Sequence, residues 1–201
     1  MPPVAALSFL TDFADQALIL PLAASIAAAL LLSRSWRVAA AWVLAVTAVL
    51  GTVAILKTAG YACFWLWPAL GSLRSTSGHT AAATVVYGGI AGVAAARSRL
   101  GLAWTASIAG LAAGSLIGAT RLLLHVHSPA EVALGLVIGM AGALAFAALA
   151  RGHAVPAAWK MLGLAGMVVV LLHGGRLQAE GAIQTKLATH IQRWVSVCRP
   201  Y

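Results

Sequence analysis

The sequence predicts an all-α protein, a polytopic membrane bundle with about six transmembrane helices. Three observations carry this. The 201 residues are 62% hydrophobic and only 8% charged, and the mean hydropathy is +0.94. A soluble domain of this length is nearer half apolar and a quarter charged. Apolar runs of about span length recur along the chain. Basic residues mostly flank those runs.

Six spans follow in order: Ala17 to Leu32, Val38 to Leu56, His79 to Ala96, Leu100 to Thr120, the stretch from Pro129 to Ala150, and Ala158 to Leu172. Met1 to Gln16 carries Asp12 and Asp15 and no Lys or Arg, so it lacks the basic start of a secretory signal, and the first apolar run is read as a retained span. Glycines crowd the third to fifth spans at Gly88, Gly89, Gly92, Gly110, Gly114, Gly118, Gly135, Gly139 and Gly142. Those spaced four apart share a helix face, where small residues let backbones approach closely. They need no catalytic role.

Two pieces are not span-like. Lys57 to Gly78 is rich in aromatics (Tyr61, Phe64, Trp65, Trp67), a composition suited to the membrane interface. Residues 178–201 predict an amphipathic interfacial helix, with Ile183, Leu187, Ile191, Trp194 and Val195 on one side and Lys186 and Arg193 off it. The whole chain, 1–201, reads as one membrane-embedded domain.

The net charge of +9 comes from 13 Lys and Arg against 4 acids. These bases flank apolar runs and suit topology and lipid head groups, and no basic stripe interleaved with aromatics points to nucleic acid. Arg34, Arg37, Arg97, Arg99, Arg151 and Lys160 fall in the loops after the first, third and fifth spans, without an acid. The opposite side holds Lys57, Arg74 and Arg121, plus the bases of the tail. Basic short loops favour the cytoplasm, so the side with Lys57 and Arg121 is expected to face outward from a bacterial inner membrane. Two cysteines, Cys63 and Cys198, give no disulfide framework and no CxxC motif, and whether they form a single bridge stays open. The sequence does not speak to oligomeric state.

Ionisable groups at the edge of a span are costly unless they have a partner or a task. Two stretches concentrate them on one side of the six-span count. One is Thr76-Ser77-Gly78-His79, where the aromatic loop meets the third span. The other runs from Gly118 to Gly135 and holds Thr120, Arg121, His125, His127 and Glu131. Helix N-termini offer free N–H groups to anions, Gly78 permits close backbone approach, and Arg121 can hold phosphate oxygens bidentately.

These stretches resemble the second and third signatures of the type 2 phosphatidic acid phosphatase superfamily, integral-membrane lipid phosphatases. The second reads Pro-Ser-Gly-His, with Thr76 here at the proline. The third reads Ser-Arg, five residues, His, three residues, Asp, with Thr120 for the serine, His125 where a glycine is usual, and Glu131 for the aspartate. The first signature, Lys, six residues, Arg-Pro, is met by Lys57, but Phe64 and Trp65 stand at the Arg-Pro positions. Arg74 is the candidate replacement for that arginine. The resemblance spans residues 57–135.

The resemblance implies a metal-independent lipid phosphate phosphatase without a cofactor, acting on a lipid phosphate substrate among membrane lipids. His127 would attack phosphorus, His79 would protonate the leaving oxygen, and Glu131 would orient His127. Lys57, Arg121, Ser77, Gly78 and Arg74 would bind the phosphate. Which lipid phosphate is taken stays open.

Other readings stand beside it. Ser128-Pro129-Ala130-Glu131 forms a capping box, so Glu131 has a structural role whether or not it has a chemical one. His79, His125, His127 and Glu131 could serve as zinc ligands of an intramembrane hydrolase. An intramembrane serine hydrolase using Ser77 and His127 lacks a nucleophile elbow. A member that binds lipid phosphates without turnover would account for the missing first-signature arginine. His153, His173 and His190 lie outside the site-bearing loops and receive no role.

Overall fold

A computed structural model describes residues 4–63, 75–95, 101–153, 155, 158–177, 181 and 183–194. The described residues contain helices and no strand. The order is α1 (Val4–Asp12), α2 (Gln16–Leu32), α3 (Trp36–Ala62), α4 (Gly78–Ala94), α5 (Gly101–Leu123), α6 (Pro129–Ala150), α7 (Ala158–Leu172), a π-helical turn (Ile183–Leu187) and α8 (Ala188–Trp194).

Four units are long and apolar enough to cross a membrane: Val4–Leu32, which joins α1 and α2, and then α3, α5 and α6. The chain is therefore a helical membrane protein. The other two expected spans are shorter, with 17 residues in α4 and 15 in α7. For α4 the reason is its position. It packs against α2, α3, α5, α6 and α7 and buries most of its length, so protein rather than lipid surrounds it. A helix sheathed in this way needs small side chains more than apolar ones.

The glycines supply that fit. A Cβ on Gly88 would lie 2.7 Å from the Ala106 carbonyl, and one on Gly110 would lie 2.7 Å from the Thr84 carbonyl, so α4 and α5 meet backbone to backbone. Gly139 does the same for α6, where a Cβ would come within 2.6 Å of the Ala81 carbonyl. Deeper in the bundle, Trp42 donates its indole N–H to the Ala23 carbonyl at 2.9 Å and meets Phe146 edge-on.

Helix boundaries follow local chemistry at α6 and α7, which match the expected ranges. Two elements differ. α3 continues through Lys57 to Ala62, because the Lys57 side chain is buried against the bundle instead of ending the helix at water. Residues 4–12 form α1, which packs on α5 and is tied down by a Thr11–Thr120 hydroxyl hydrogen bond of 2.6 Å and by Tyr87, whose hydroxyl donates to the Phe13 carbonyl. In the tail, the π turn and α8 pack on α3, and Gln192 donates to the Ala62 carbonyl at 3.0 Å. Residues 195–201 lie outside the described residues. Cys63 caps α3 and is disulfide-bonded, while the other cysteine, Cys198, also lies outside them.

Gly139→Ala is expected to destabilise the bundle by roughly 1–3 kcal/mol through overpacking. Gly163→Ala, on α7 with nothing within 4 Å of the added methyl, is expected to be neutral or stabilising by up to about 1 kcal/mol. Thermal unfolding in detergent compares the two.

Candidate functional site

The start of α6 is set by its own sequence. Ser128 caps the helix, its hydroxyl accepting from the Glu131 amide at 3.3 Å, and Pro129 takes the first helical position. Glu131 answers with Oε2, which accepts from the Ser128 amide at 3.0 Å. The capping box is complete, and its carboxylate has capacity left. The same Oε2 accepts from His127 Nδ1 at 3.0 Å, and Oε1 accepts from the Ser75 amide at 2.8 Å. Because a carboxylate only accepts, Nδ1 carries the proton and the lone pair of His127 lies on Nε2. Both side chains are buried, and Nε2 is buried as well.

The contact with Ser75 joins the two motifs. A second bond reinforces it, from the Ser77 amide to the Glu131 main-chain carbonyl at 3.1 Å. The segment leading into α4 is thereby fastened to the first turn of α6. Ser77 is fully buried and hydrogen-bonds Thr80 at 2.8 Å. Gly78 opens α4 directly over α3, where a Cβ would lie 3.4 Å from Val53 Cγ1 and 3.5 Å from Lys57 Cε. The helix start therefore lies beside a buried lysine.

Two cavities flank this junction. One of about 440 Å³ is lined by Tyr61, Ser75, His125, Val126, His127, Ser128 and Glu131. The other, of about 370 Å³, is lined by Lys57, Gly78, His79 and Gln16 together with Leu20, Leu50, Val53, Ala54, Leu177 and Ile183. His127 and His79 thus line different cavities on the two sides of the α4 N-terminus. Lys57 and Tyr61, one turn apart on α3, each face one of them. Arg121 occupies the last turn of α5 with its Nε buried and lines neither cavity. Arg74, Phe64 and Trp65 lie outside the described residues.

His125 stands in the turn between α5 and α6 with an unusual backbone. Its φ is +54°, the left-handed region in which glycine is unstrained and histidine is tolerated. The turn after α5 that delivers His127 needs this geometry. A zinc set of His79, His125 and His127 is not assembled, since His79 faces the second cavity. Among the described residues no group of three His, Cys, Asp or Glu side chains is arranged to hold a metal.

Two acids near the site were not singled out in the sequence. Asp12 receives a two-point hydrogen bond from Arg176, at 2.8 and 3.0 Å, which joins α1 to the segment after α7. Asp15 caps α2 and stands 3.7 Å from His79. The one local signal was the position of Asp15 immediately before an apolar helical run, an N-cap pattern. Nothing local pointed to His79.

No model of a known protein family matches the chain, and no solved structure matches it. The chain is similar to an "Uncharacterized 22.5 kDa protein in cps region" from Klebsiella pneumoniae, 29% identical over 188 residues that cover 89% of this chain and 88% of that protein.

Glu131→Ala removes the acceptor of three donors at once and is expected to cost roughly 2–4 kcal/mol of stability. His125→Gly relieves the left-handed strain and is expected to be neutral or stabilising by about 1 kcal/mol. Chemical unfolding in detergent reads both variants.

Proposed function

We propose that the chain is a membrane lipid phosphate phosphatase that acts without metal through a phosphohistidine on His127. The observation that carries this reading is the buried His127–Glu131 pair, with the Ser75–Gly78 segment bonded to the same glutamate. Such an arrangement holds one imidazole in a single tautomer next to a helix N-terminus suited to an anion.

In the first step the lone pair on His127 Nε2 forms a bond to phosphorus. The bond from phosphorus to the lipid oxygen breaks, and that oxygen takes a proton from the His79 imidazolium. In the second step water attacks the phosphorus, the P–N bond breaks and returns its electron pair to Nε2, and neutral His79 accepts the water proton. Charge on the transferring oxygens is neutralised by Lys57 and the Gly78 amide, while Arg121 and Ser77, which line neither cavity, are assigned to the phosphate by the resemblance alone. Arg74 is the further phosphate-binding candidate. The mechanism requires a phosphate at the start of α4 that is reached from both cavities.

The second cavity supports a lipid substrate. Beyond Lys57, Gln16, Gly78 and His79 its walls are Leu20, Leu50, Val53, Ala54, Leu177 and Ile183, a lining suited to an acyl or prenyl chain. The outward orientation in a bacterial inner membrane draws on the basic loops of the opposite side, where Arg34, Arg37 and His153 line one cavity. The disulfide at Cys63, at the site end of α3, adds to it, because disulfides persist in oxidising compartments. A second reading, lipid phosphate binding without turnover, draws on the separation of the two histidines between cavities.

Phosphate release from a panel of lipid phosphates in detergent with EDTA present is the test. Wild type is expected to be active, with His127→Ala at background and His79→Ala reduced roughly 10²–10⁴-fold. Activity lost to EDTA would favour the zinc hydrolase, and binding without release would favour the second reading.

A further inference from the structure

The break between α1 and α2 brings an acid to His79. Asp15 is buried, and its two oxygens do different things. Oδ1 accepts from the Ala17 amide at 2.9 Å, capping α2, and from the Leu177 amide at 2.8 Å. Oδ2 lies 3.7 Å from His79 Nε2, the distance of an ion pair rather than of a hydrogen bond. The position of Asp15 is firmly set, because α1 is tied to α5 through Thr11 and Thr120, and Asp12 is held by Arg176. Lys57 is the other charged residue among those lining the cavity that His79 faces.

From this geometry we infer that Asp15 is the positioning residue of His79: it orients the ring through Nε2 and favours its charged form, so that Nδ1–H is presented to the leaving oxygen. This rests on the phosphatase reading and extends it, since the site then holds two imidazole–carboxylate pairs with opposite tasks. Glu131 leaves His127 a lone pair for attack, and Asp15 leaves His79 a proton to give.

The test separates proton donation from folding. An alkyl phosphate has a poor leaving group that needs the proton, whereas p-nitrophenyl phosphate leaves readily without one. Asp15→Asn and Asp15→Ser both keep an oxygen for the α2 cap and remove the charge. Both are expected to lose at least about 10-fold more kcat on the alkyl phosphate than on p-nitrophenyl phosphate, and Asp15→Glu is expected to restore part of the difference. Equal losses on both substrates would overturn the inference in favour of a purely structural role. A second readout does not need turnover. Diethyl pyrocarbonate modifies neutral imidazole, so both neutral variants are expected to speed modification of His79, followed by peptide mass spectrometry at pH 7, by at least about 3-fold. Wild type inactive on both substrates would defeat the phosphatase reading, while the labelling would still report on Asp15. Unchanged labelling would overturn the pairing of Asp15 with His79.

Discussion

The Glu131 carboxylate is the contact on which the site depends. It accepts from the Ser75 and Ser128 amides and from His127 Nδ1, joining segments 56 residues apart in sequence. A buried carboxylate is costly unless it is hydrogen-bonded, and three donors offset the cost. One side chain therefore starts a helix, fixes the tautomer of a histidine and anchors the entry to α4. The longer side chain suits these tasks. At the third position of α6 it reaches back to the capping residue while remaining within bond distance of both neighbours.

The second constraint is the central position of α4. Its N-terminus lies in the interior because α5 and α6 approach it at glycines, and the Ser75–Gly78 segment can then dock on the first turn of α6. Buried hydroxyls continue the pattern, with Thr80 bonded to Ser77 and Thr84 to the Thr80 carbonyl. Packing and site geometry are coupled here, since a larger residue at Gly135 would press on the Ser77 carbonyl. Small residues in these helices thus set where the first turn of α4 sits.

Much of this was legible in the sequence where the signal is local. Apolar runs bounded by bases located the helices, and Ser128-Pro129-Ala130-Glu131 marked the start of α6. Spaced glycines marked the close-packed faces. The cases that were not legible are tertiary. Lys57 looks like a helix stop, yet its side chain is buried and α3 continues. Asp12 and Asp15 look like a polar terminus, and only the folded chain brings them to Arg176 and His79. The two motifs were legible as neighbours, and the bonds from Ser75 and Ser77 to Glu131 join them. Their placement on two cavities was not, because spacing within a motif says nothing of the wall between motifs. His125 adopts a left-handed backbone that its sequence did not signal.

The most direct measurement is rapid acid-free quenching of the protein during turnover of a ³²P-labelled lipid phosphate, followed by peptide mapping. The account predicts an acid-labile, alkali-stable phosphoryl group on His127, formed more slowly in Glu131→Gln, whose amide is a poorer partner for Nδ1–H. Phosphate release without any histidine-bound phosphoryl group, or label on Ser77 instead, would contradict it.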